Sequence, residues 1–248
     1  ETGGQVWTQR FDRVQTDYFE MLDELTRAIV SALVPELEAH ELERAQRRAP
    51  ADLTAWDLCC RGLRAFPSSE PTELELARRC FEQAIAIDPR FATPVAHLAR
   101  THFYEVIAGA ATDPAASIAR GLALARAALA LDEREDAAYL ALGYCLTLAG
   151  DPAAAIVAIE QGLQLNPNSG QLYNARALAL LFMPGGDLGQ VVQDELQALS
   201  LGPNDPLRWT SHVTIGWALL ADSSVCRAAE ARLWFHRAAT APHADWHV

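Results

Sequence analysis

The stretch from residue 138 to residue 167 limits the possible folds most, because its residue spacing is typical of two short amphipathic helices joined by a tight turn. Residues at i, i+3, i+4 and i+7 lie on one face of an α-helix, so apolar residues with that spacing predict a helix with one packed side. The expected faces consist of Tyr139, Leu142 and Leu146 in the first helix and of Ala155, Ile159 and Gly162 in the second.

Three consecutive residues predict where the turn lies. Gly150 can adopt the left-handed conformation that ends a helix, Asp151 can cap the next helix, and Pro152 suits a first helical position. Small residues at Gly143 and Ala155 let the two helices approach closely, as ridges-into-grooves packing requires.

The hairpin begins again on a fixed period, since Tyr173 lies 34 residues after Tyr139. This spacing resembles the tetratricopeptide repeat (TPR), a helix-turn-helix unit of 34 residues. The resemblance implies an all-α fold, a right-handed superhelical solenoid of about five units within residues 51–248. The expected units span about residues 53–90, 92–134, 136–168, 170–204 and 206–242, and the second helix of the last unit is expected to carry its pattern at Ala228, Leu233, Trp234 and Ala238.

The first 50 residues differ from the repeats. Residues 1–14 predict a short strand, and residues 15–50 predict a long connecting helix that Pro35 is expected to kink or split. The segments VWTQRFDR (6–13), YFEMLDEL (18–25) and DLTAWDL (52–58), followed by Arg61 and Gly62, resemble the TolB-like/TPR region of certain bacterial regulators. In that family a class III adenylate/guanylate cyclase domain or a winged-helix domain precedes this region. The resemblance therefore implies a regulatory or sensory arm of a signalling protein whose output domain is absent here, with residues 1–14 as the remnant of an upstream TolB-like domain.

The charge balance limits the classes of partner that this segment can bind. Acidic residues number 32 against 20 basic ones, which gives a net charge of −12 and argues against nucleic-acid binding by this segment. No run of about 18 apolar residues predicts a membrane span. The five cysteines form no CxxC pair, and we expect reduced thiols on apolar helix faces of a cytoplasmic protein.

The resemblance also implies a ligand site, because TPR arrays bind mostly in the concave groove that the first helix of each unit lines. An Arg-rich end and an aromatic middle favour a protein or peptide partner with an acidic end and an apolar body. The alternative is structural: Arg61 and Arg64 pair with nearby carboxylates and Tyr144 fills the core between units. The groove positions transferred onto this sequence are Asp57, Arg61, Arg64, Arg100, Phe103, Tyr104, Tyr144, Asn174 and Phe182.

Catalytic and metal-binding roles find less support in the sequence. His243 and His247 have i, i+4 spacing with His236 nearby, but Pro242 interrupts the segment. The sequence contains no nucleophile elbow, Walker loop or dinucleotide fingerprint. We therefore expect a non-enzymatic interaction module without cofactor or metal; the alternatives are a small-molecule or metal-dependent enzyme and a spacer that forms homo-oligomers.

Overall fold

The computed structural model describes residues 54–66, 71–203, 205–222 and 227–240, and every regular element in these ranges is an α-helix. The strand predicted at residues 1–14 and the connecting helix at 15–50 lie outside the described residues. The helices are α1 (Ala55–Ala65), α2 (Pro71–Ile87), α3 (Ala92–Ile107), α4 (Pro114–Leu131), α5 (Asp136–Leu148), α6 (Pro152–Leu165), α7 (Gly170–Phe182), α8 (Leu188–Leu201), α9 (Arg208–Ala221) and α10 (Ala228–Ala239).

Consecutive helices pack as pairs, and the pairs stack into an array. The closest partners are α1 with α2, α3 with α4, α5 with α6, α7 with α8, and α9 with α10. Each second helix also packs against the first helix of the next pair, and neighbouring first helices touch one another from α1 through α9. This arrangement confirms the predicted all-α solenoid of helix-turn-helix units.

The turn in the third pair forms as the sequence predicts. Gly150 has a φ of 84°, in the left-handed region, and Pro152 is the first residue of α6. Asp151 Oδ1 accepts a hydrogen bond of 3.0 Å from Ala154 N, which satisfies one of the unpaired amides at the start of the helix. Asp113 and Asp187 cap α4 and α8 in the same way.

One face of each second helix repeats a spacing of four and then three residues. In α2 and α6 a small residue opens the pattern, a large side chain follows, and another small residue ends it. The first helix makes room for the larger side chain: a Cβ at Gly143 would lie 2.7 Å from Ile159 Cδ1, closer than real side chains come. The packed sets are Ala77, Phe81 and Ala84 in α2, Gly121, Ala125 and Ala128 in α4, Ala155, Ile159 and Gly162 in α6, and Val191, Glu195 and Ala198 in α8.

In α10 the packed face differs from the predicted one. Leu233 is 61% exposed and Ala228 is exposed, whereas Ala231 and Ala238 are buried. Phe235 stands between them and packs on Gly216, where an added Cβ would lie 2.7 Å from the Phe235 ring. The set Ala231, Phe235 and Ala238 keeps the spacing of the other pairs. The prediction for this helix was therefore right for Ala238 and for Trp234, which packs beside Phe235, and wrong for Ala228 and Leu233.

The first helices are buried on more than one side, because each lies between its own partner, the preceding second helix and neighbouring first helices. Tyr139, Leu142 and Leu146 are only half-buried, while Ala138, Ala141 and other residues on the opposite sides are buried. A single apolar stripe therefore underestimates the packing of α5.

Helix α4 has the length and mean hydropathy, 1.2 over 18 residues, that a membrane-spanning helix needs. No such segment was expected from the sequence. The helix carries Arg120 and Arg126, and its Gly121, Ala125 and Ala128 are buried within the array. Helix α4 therefore resembles a membrane-spanning helix in length and composition only.

Candidate binding site on the concave side

The curvature of the array defines where a partner has access to the first helices. In the described residues neighbouring first helices pack against one another, while the second helices pack mainly against first helices. The row of first helices is thus the tighter one, and it lines the concave side. A small hollow of about 20 Å³, room for one molecule the size of water, opens there between α3, α5, α7 and α9. We call it the central hollow; Tyr104, Tyr144, Gln171, Asn174, Asp205 and Thr210 are among its walls.

Aromatic side chains form one wall of the central hollow. The Tyr144 ring stacks on Phe103 at a centroid distance of 4.3 Å, and Tyr104 meets Tyr144 edge-on at 6.5 Å. Tyr104 also packs edge-on against Phe66 at 4.9 Å. Burial raises the pKa of both Tyr104 and Tyr144, so both phenols are neutral at physiological pH.

A chain of hydrogen bonds runs from this wall into the joint between the fourth and fifth pairs. Tyr144 Oη donates to Asn174 Oδ1 at 2.8 Å, which orients the amide. Asn174 Nδ2 then donates to Glu195 Oε1 at 2.9 Å and lies 3.3 Å from Thr210 Oγ1. The amide thus connects α5, α8 and α9.

Glu195 ends this chain with a fully buried carboxyl group, 0% exposed. Burial raises its pKa to about 7, opposed by hydrogen bonds from Ser211, Asn174 and Thr214. The carboxyl group therefore keeps its proton to a higher pH than a solvated glutamate does.

Arg100 lies beside the hollow, but it is buried, with 3% exposure. Arg100 Nη2 donates to Gln171 Oε1 at 2.7 Å, and Gln171 Nε2 donates to Asp205 Oδ2 at 3.3 Å. Arg100 Nη1 lies 3.2 Å from His97 Nδ1, and burial, then the charge of Arg100, holds the pKa of His97 well below its usual range. The neutral imidazole can accept from Arg100, so Arg100 fixes the wall and does not extend into the groove.

The nine predicted site residues divide into two groups. Arg100, Tyr104, Tyr144 and Asn174 come together at the central hollow, through the contacts just described. The other five do not line it: Asp57 and Phe103 are buried, Arg61 is partly exposed, Arg64 is exposed, and Phe182 is 59% exposed at the end of α7.

Asp57 has a structural role that its sequence neighbours explain. Thr54 N donates to Asp57 Oδ2 at 3.1 Å, and Asp57 N donates to Thr54 Oγ1 at 3.2 Å. This reciprocal capping box begins α1. Asp57 therefore stabilises the amino-terminal end of α1.

Sequence reasoning missed Gln171, Glu195, Asp205, Thr210 and Ser211. One of them carried a signal: Glu195 falls on the register position that Phe81 and Ile159 occupy in other pairs. A charged residue at such a core position indicates a buried polar partner. Asp205 and Thr210 carry no comparable signal, because their position depends on how α9 packs.

A second polar cluster lies in the second pair. His102 Nδ1 is 2.9 Å from Ser117 Oγ, and the Ser117 hydroxyl donates to Glu105 Oε2 at 2.6 Å. Because the hydroxyl proton is directed to the carboxylate, His102 is not placed as a base for Ser117. The cluster links α3 with α4, and Arg78 of α2 reaches Glu105 at 3.3 Å.

The buried thiols and the metal-ligand side chains indicate no further chemistry of their own. Burial raises the pKa of Cys59 and of Cys145 to about 12, so these thiols stay protonated. In the part of the chain that the structure describes, three or more His, Cys, Asp or Glu side chains do not gather into a group that could hold a metal ion. His243 and His247 lie outside it.

Comparisons with known proteins agree with this geometry. Residues 136–169 match the model of the tetratricopeptide repeat. A protein of Rhizobium meliloti (strain 1021), provisionally named adenylate cyclase 3, is 35% identical over 149 residues; the match covers 59% of this chain and 25% of that protein. This chain therefore matches about a quarter of that relative's length.

Solved structures resemble the fold. TTC0263, a thermophilic TPR protein of Thermus thermophilus, superposes with a TM-score of 0.55 at 20% identity, over 81% of this chain and 95% of that one. MamA residues 41 to the end, from Desulfovibrio magneticus RS-1, gives a TM-score of 0.45 at 15% identity, over 74% and 92%. The chain therefore contains a tetratricopeptide repeat at residues 136–169, with helical pairs of the same architecture on both sides of it.

Proposed function

We propose that this chain is a non-catalytic binding module that holds a protein or peptide on the concave side of its array, at and around the central hollow. The observation that carries the proposal is the meeting of Arg100, Tyr104, Tyr144 and Asn174 at one place. These residues come from three successive first helices, α3, α5 and α7. Rigid helices hold them in fixed positions, which lowers the entropy lost when a partner binds.

The side chains that line the central hollow are better suited to binding a peptide than to catalysing a reaction. Aromatic rings provide apolar contact, and the amides and hydroxyl groups can fix a main chain by hydrogen bonds. The described Ser, His and Glu side chains of the second pair bind one another in an order that leaves the hydroxyl group unactivated. We therefore assign recognition to this surface.

Selection from a displayed library of random peptides tests the proposal. Wild type and the Tyr104→Ala variant serve as targets, and thermal unfolding verifies that the variant folds. The matched control is Tyr139→Ala, because Tyr139 is also half-buried but faces Gly162 of α6. We expect peptides that bind wild type and Tyr139→Ala but lose about tenfold or more in affinity for Tyr104→Ala, as for an aromatic anchor. Peptides that bind all three equally would contradict the site, and a library without binders would contradict the function.

We further propose that the module is the regulatory arm of a longer bacterial signalling protein with a nucleotide-cyclase output domain. The sequence resemblance and the provisional name of the Rhizobium meliloti relative support this proposal. The test is the genomic sequence upstream of Glu1. An in-frame cyclase domain is the expected result, and a winged-helix domain or a stop codon there would contradict it.

A further inference from the structure

We propose that the central hollow binds a primary ammonium group, as found at the end of a lysine side chain or at the first residue of a polypeptide. This inference rests on the proposed binding function and specifies which group of the partner enters the hollow. Residues 1–248 contain no lysine, so a lysine head group has to come from outside this segment.

The size of the hollow fits such a group. Its volume of about 20 Å³ accommodates one molecule the size of water. An ammonium group is a compact charge with three donors, whereas a guanidinium group is planar and larger. A partner can therefore insert an ammonium group without moving the walls.

Three of the hydroxyl groups in the walls have already used their protons. Tyr144 Oη donates to Asn174 Oδ1, Thr210 Oγ1 donates to the Leu207 carbonyl oxygen at 2.8 Å, and Ser211 hydrogen-bonds to the buried carboxyl group of Glu195. What these oxygens retain are acceptor lone pairs. A wall of this kind selects a ligand rich in donors.

Asp205 supplies the negative charge. Its Oδ1 accepts from Leu207 N at 2.8 Å and its Oδ2 accepts from Gln171 Nε2 at 3.3 Å. Both partners are neutral, and within the described residues no cationic side chain lies within 4 Å of this carboxylate. A half-buried carboxylate without a cation attracts one more strongly than a solvated carboxylate, because the screening by water is weaker.

Two arginines near the hollow act against a cation. Arg100 is separated from Asp205 by the Gln171 amide, which already binds both. Arg208 lines the hollow, its Nη1 donates to the Pro203 carbonyl oxygen at 2.9 Å, and its Nε is buried without an acceptor. A polypeptide start carries a carbonyl oxygen two bonds beyond the carbon next to its ammonium group, and this oxygen can accept from Arg208 Nε. A lysine head group lacks it.

The experiment is a titration of the isotope-labelled chain, followed through its backbone amides by NMR. The probes are Nα-acetyl-lysine N-methylamide for the side chain and glycine N-methylamide for the chain start. Their acetylated forms, which have no charge, are the controls. We expect saturable shifts of the Tyr144, Gln171 and Asp205 amides with one or both ammonium probes, and binding about tenfold or more weaker after acetylation, the loss that follows removal of a charge-assisted hydrogen bond. The probe that binds more tightly identifies the source.

Asp205→Asn tests the charge with little change in shape, because the amide oxygen can still accept from Leu207 N. Its matched control is Asp151→Asn, which removes one negative charge at an exposed helix cap where Asn serves equally well. We expect ammonium binding to fall about tenfold or more in Asp205→Asn and to stay within about twofold in Asp151→Asn. Absence of saturable shifts, or equal binding by both variants, would overturn the inference.

The two proposals fail separately. If displayed peptides depend on Tyr104 but tolerate both Asp205→Asn and loss of their ammonium groups, the binding function stands and the ammonium site falls. If the ammonium probes bind at Asp205 but no peptide is selected, the ammonium site stands and the peptide-binding function falls.

Discussion

The joint between the third and fourth pairs and the joint between the fourth and fifth pairs share one register but differ in chemistry. At the first joint Ile159 packs with Leu172 and Ala175 in an apolar cluster. At the second joint Glu195 takes the place of Ile159, and Ser211 and Thr214 face it. Both central side chains are 0% exposed. The same helical geometry is thus filled once by apolar packing and once by a polar network.

This difference has a consequence for function. An apolar joint contributes stability through burial alone, whereas a polar joint contributes only if each of its groups is paired. The network around Glu195 extends through Asn174 to Tyr144, so the polar joint also orients the walls of the central hollow.

The substitution Ile159→Glu should have the largest effect, because it places a carboxyl group in a joint that lacks partners for it. We expect the free energy of unfolding to fall by about 4 kcal/mol or more, from lost packing and an unpaired buried group. Chemical denaturation at pH 7 measures it. The control Ile159→Val should cost about 1 kcal/mol. If the two variants lost similar amounts, the two joints would not differ as described.

Glu195→Gln should remove a pH dependence from the polar joint. The pKa of Glu195 is about 7 in the folded chain against 4.5 for the free side chain, so the folded state holds this proton longer. Its contribution to stability is therefore fully present below about pH 4.5 and is lost as the pH rises to about 7 and above. The shift corresponds to about 3 kcal/mol. Unfolding of wild type and variant, compared from pH 5 to pH 8, measures it.

The comparison between variant and wild type is needed because histidines titrate in the same range. Burial lowers the pKa of His97, His102 and His212, and their contribution is lost as the pH falls below about 6.5, in the opposite sense. Both chains share these histidines, so their effect cancels in the difference. We expect the free energy of unfolding of the variant to rise relative to that of wild type as the pH rises. If the difference between the two stayed constant with pH, the raised pKa of Glu195 would be refuted.

Ala155→Leu probes the close approach of α5 and α6, in the same apolar cluster as Ile159. Ala155 is fully buried, and its carbonyl oxygen would lie 3.7 Å from a Cβ at Gly143. The larger side chain should overpack this crossing and lower the free energy of unfolding by about 1–3 kcal/mol. Thermal unfolding measures it against Val157→Leu, a change at a position that is 61% exposed. Equal melting temperatures for both variants would contradict the assigned register.

The smallest effect belongs to a helix cap that lies away from both joints. Asp151→Ala removes the acceptor for Ala154 N and should cost about 1 kcal/mol, while Asp151→Asn should cost little. The pair of variants gives the scale of a purely local interaction, against which the two joints can be compared. Urea denaturation resolves this difference, and an equal loss in both variants would show that the charge, not the cap, stabilises α6.

The sequence predicts this fold well where the determining interactions are local. Gly150, Asp151 and Pro152 define a turn by their own conformational preferences, and the 34-residue period places the neighbouring pairs. In α10 the sequence reading included Ala238 but missed Ala231 and Phe235, which repeat the spacing of the other pairs with it, because the apolar Leu233 drew the predicted face toward solvent. In that helix packing follows spacing rather than hydrophobicity.

The candidate site is harder to predict from the sequence, because it forms between helices that are distant in the chain. Asn174 and Glu195 are 21 residues apart, and Arg100 and Gln171 are 71 apart. Transferred groove positions found Tyr104, Tyr144 and Asn174, but they cannot separate a residue that lines a groove from one that packs beneath it, as Phe103 does. Asp57 is the exception, since Thr54 three residues earlier indicates a capping box.

The most direct test of the polar joint is an NMR titration of the Glu195 side-chain carboxyl carbon in the folded chain, assigned by comparison with Glu195→Gln. Our account predicts an apparent pKa of about 7 for this carboxyl group. A pKa of Glu195 in the ordinary range of about 4–5 would show that the carboxyl group is solvated or ionised in the fold, and would contradict the buried network on which the site depends.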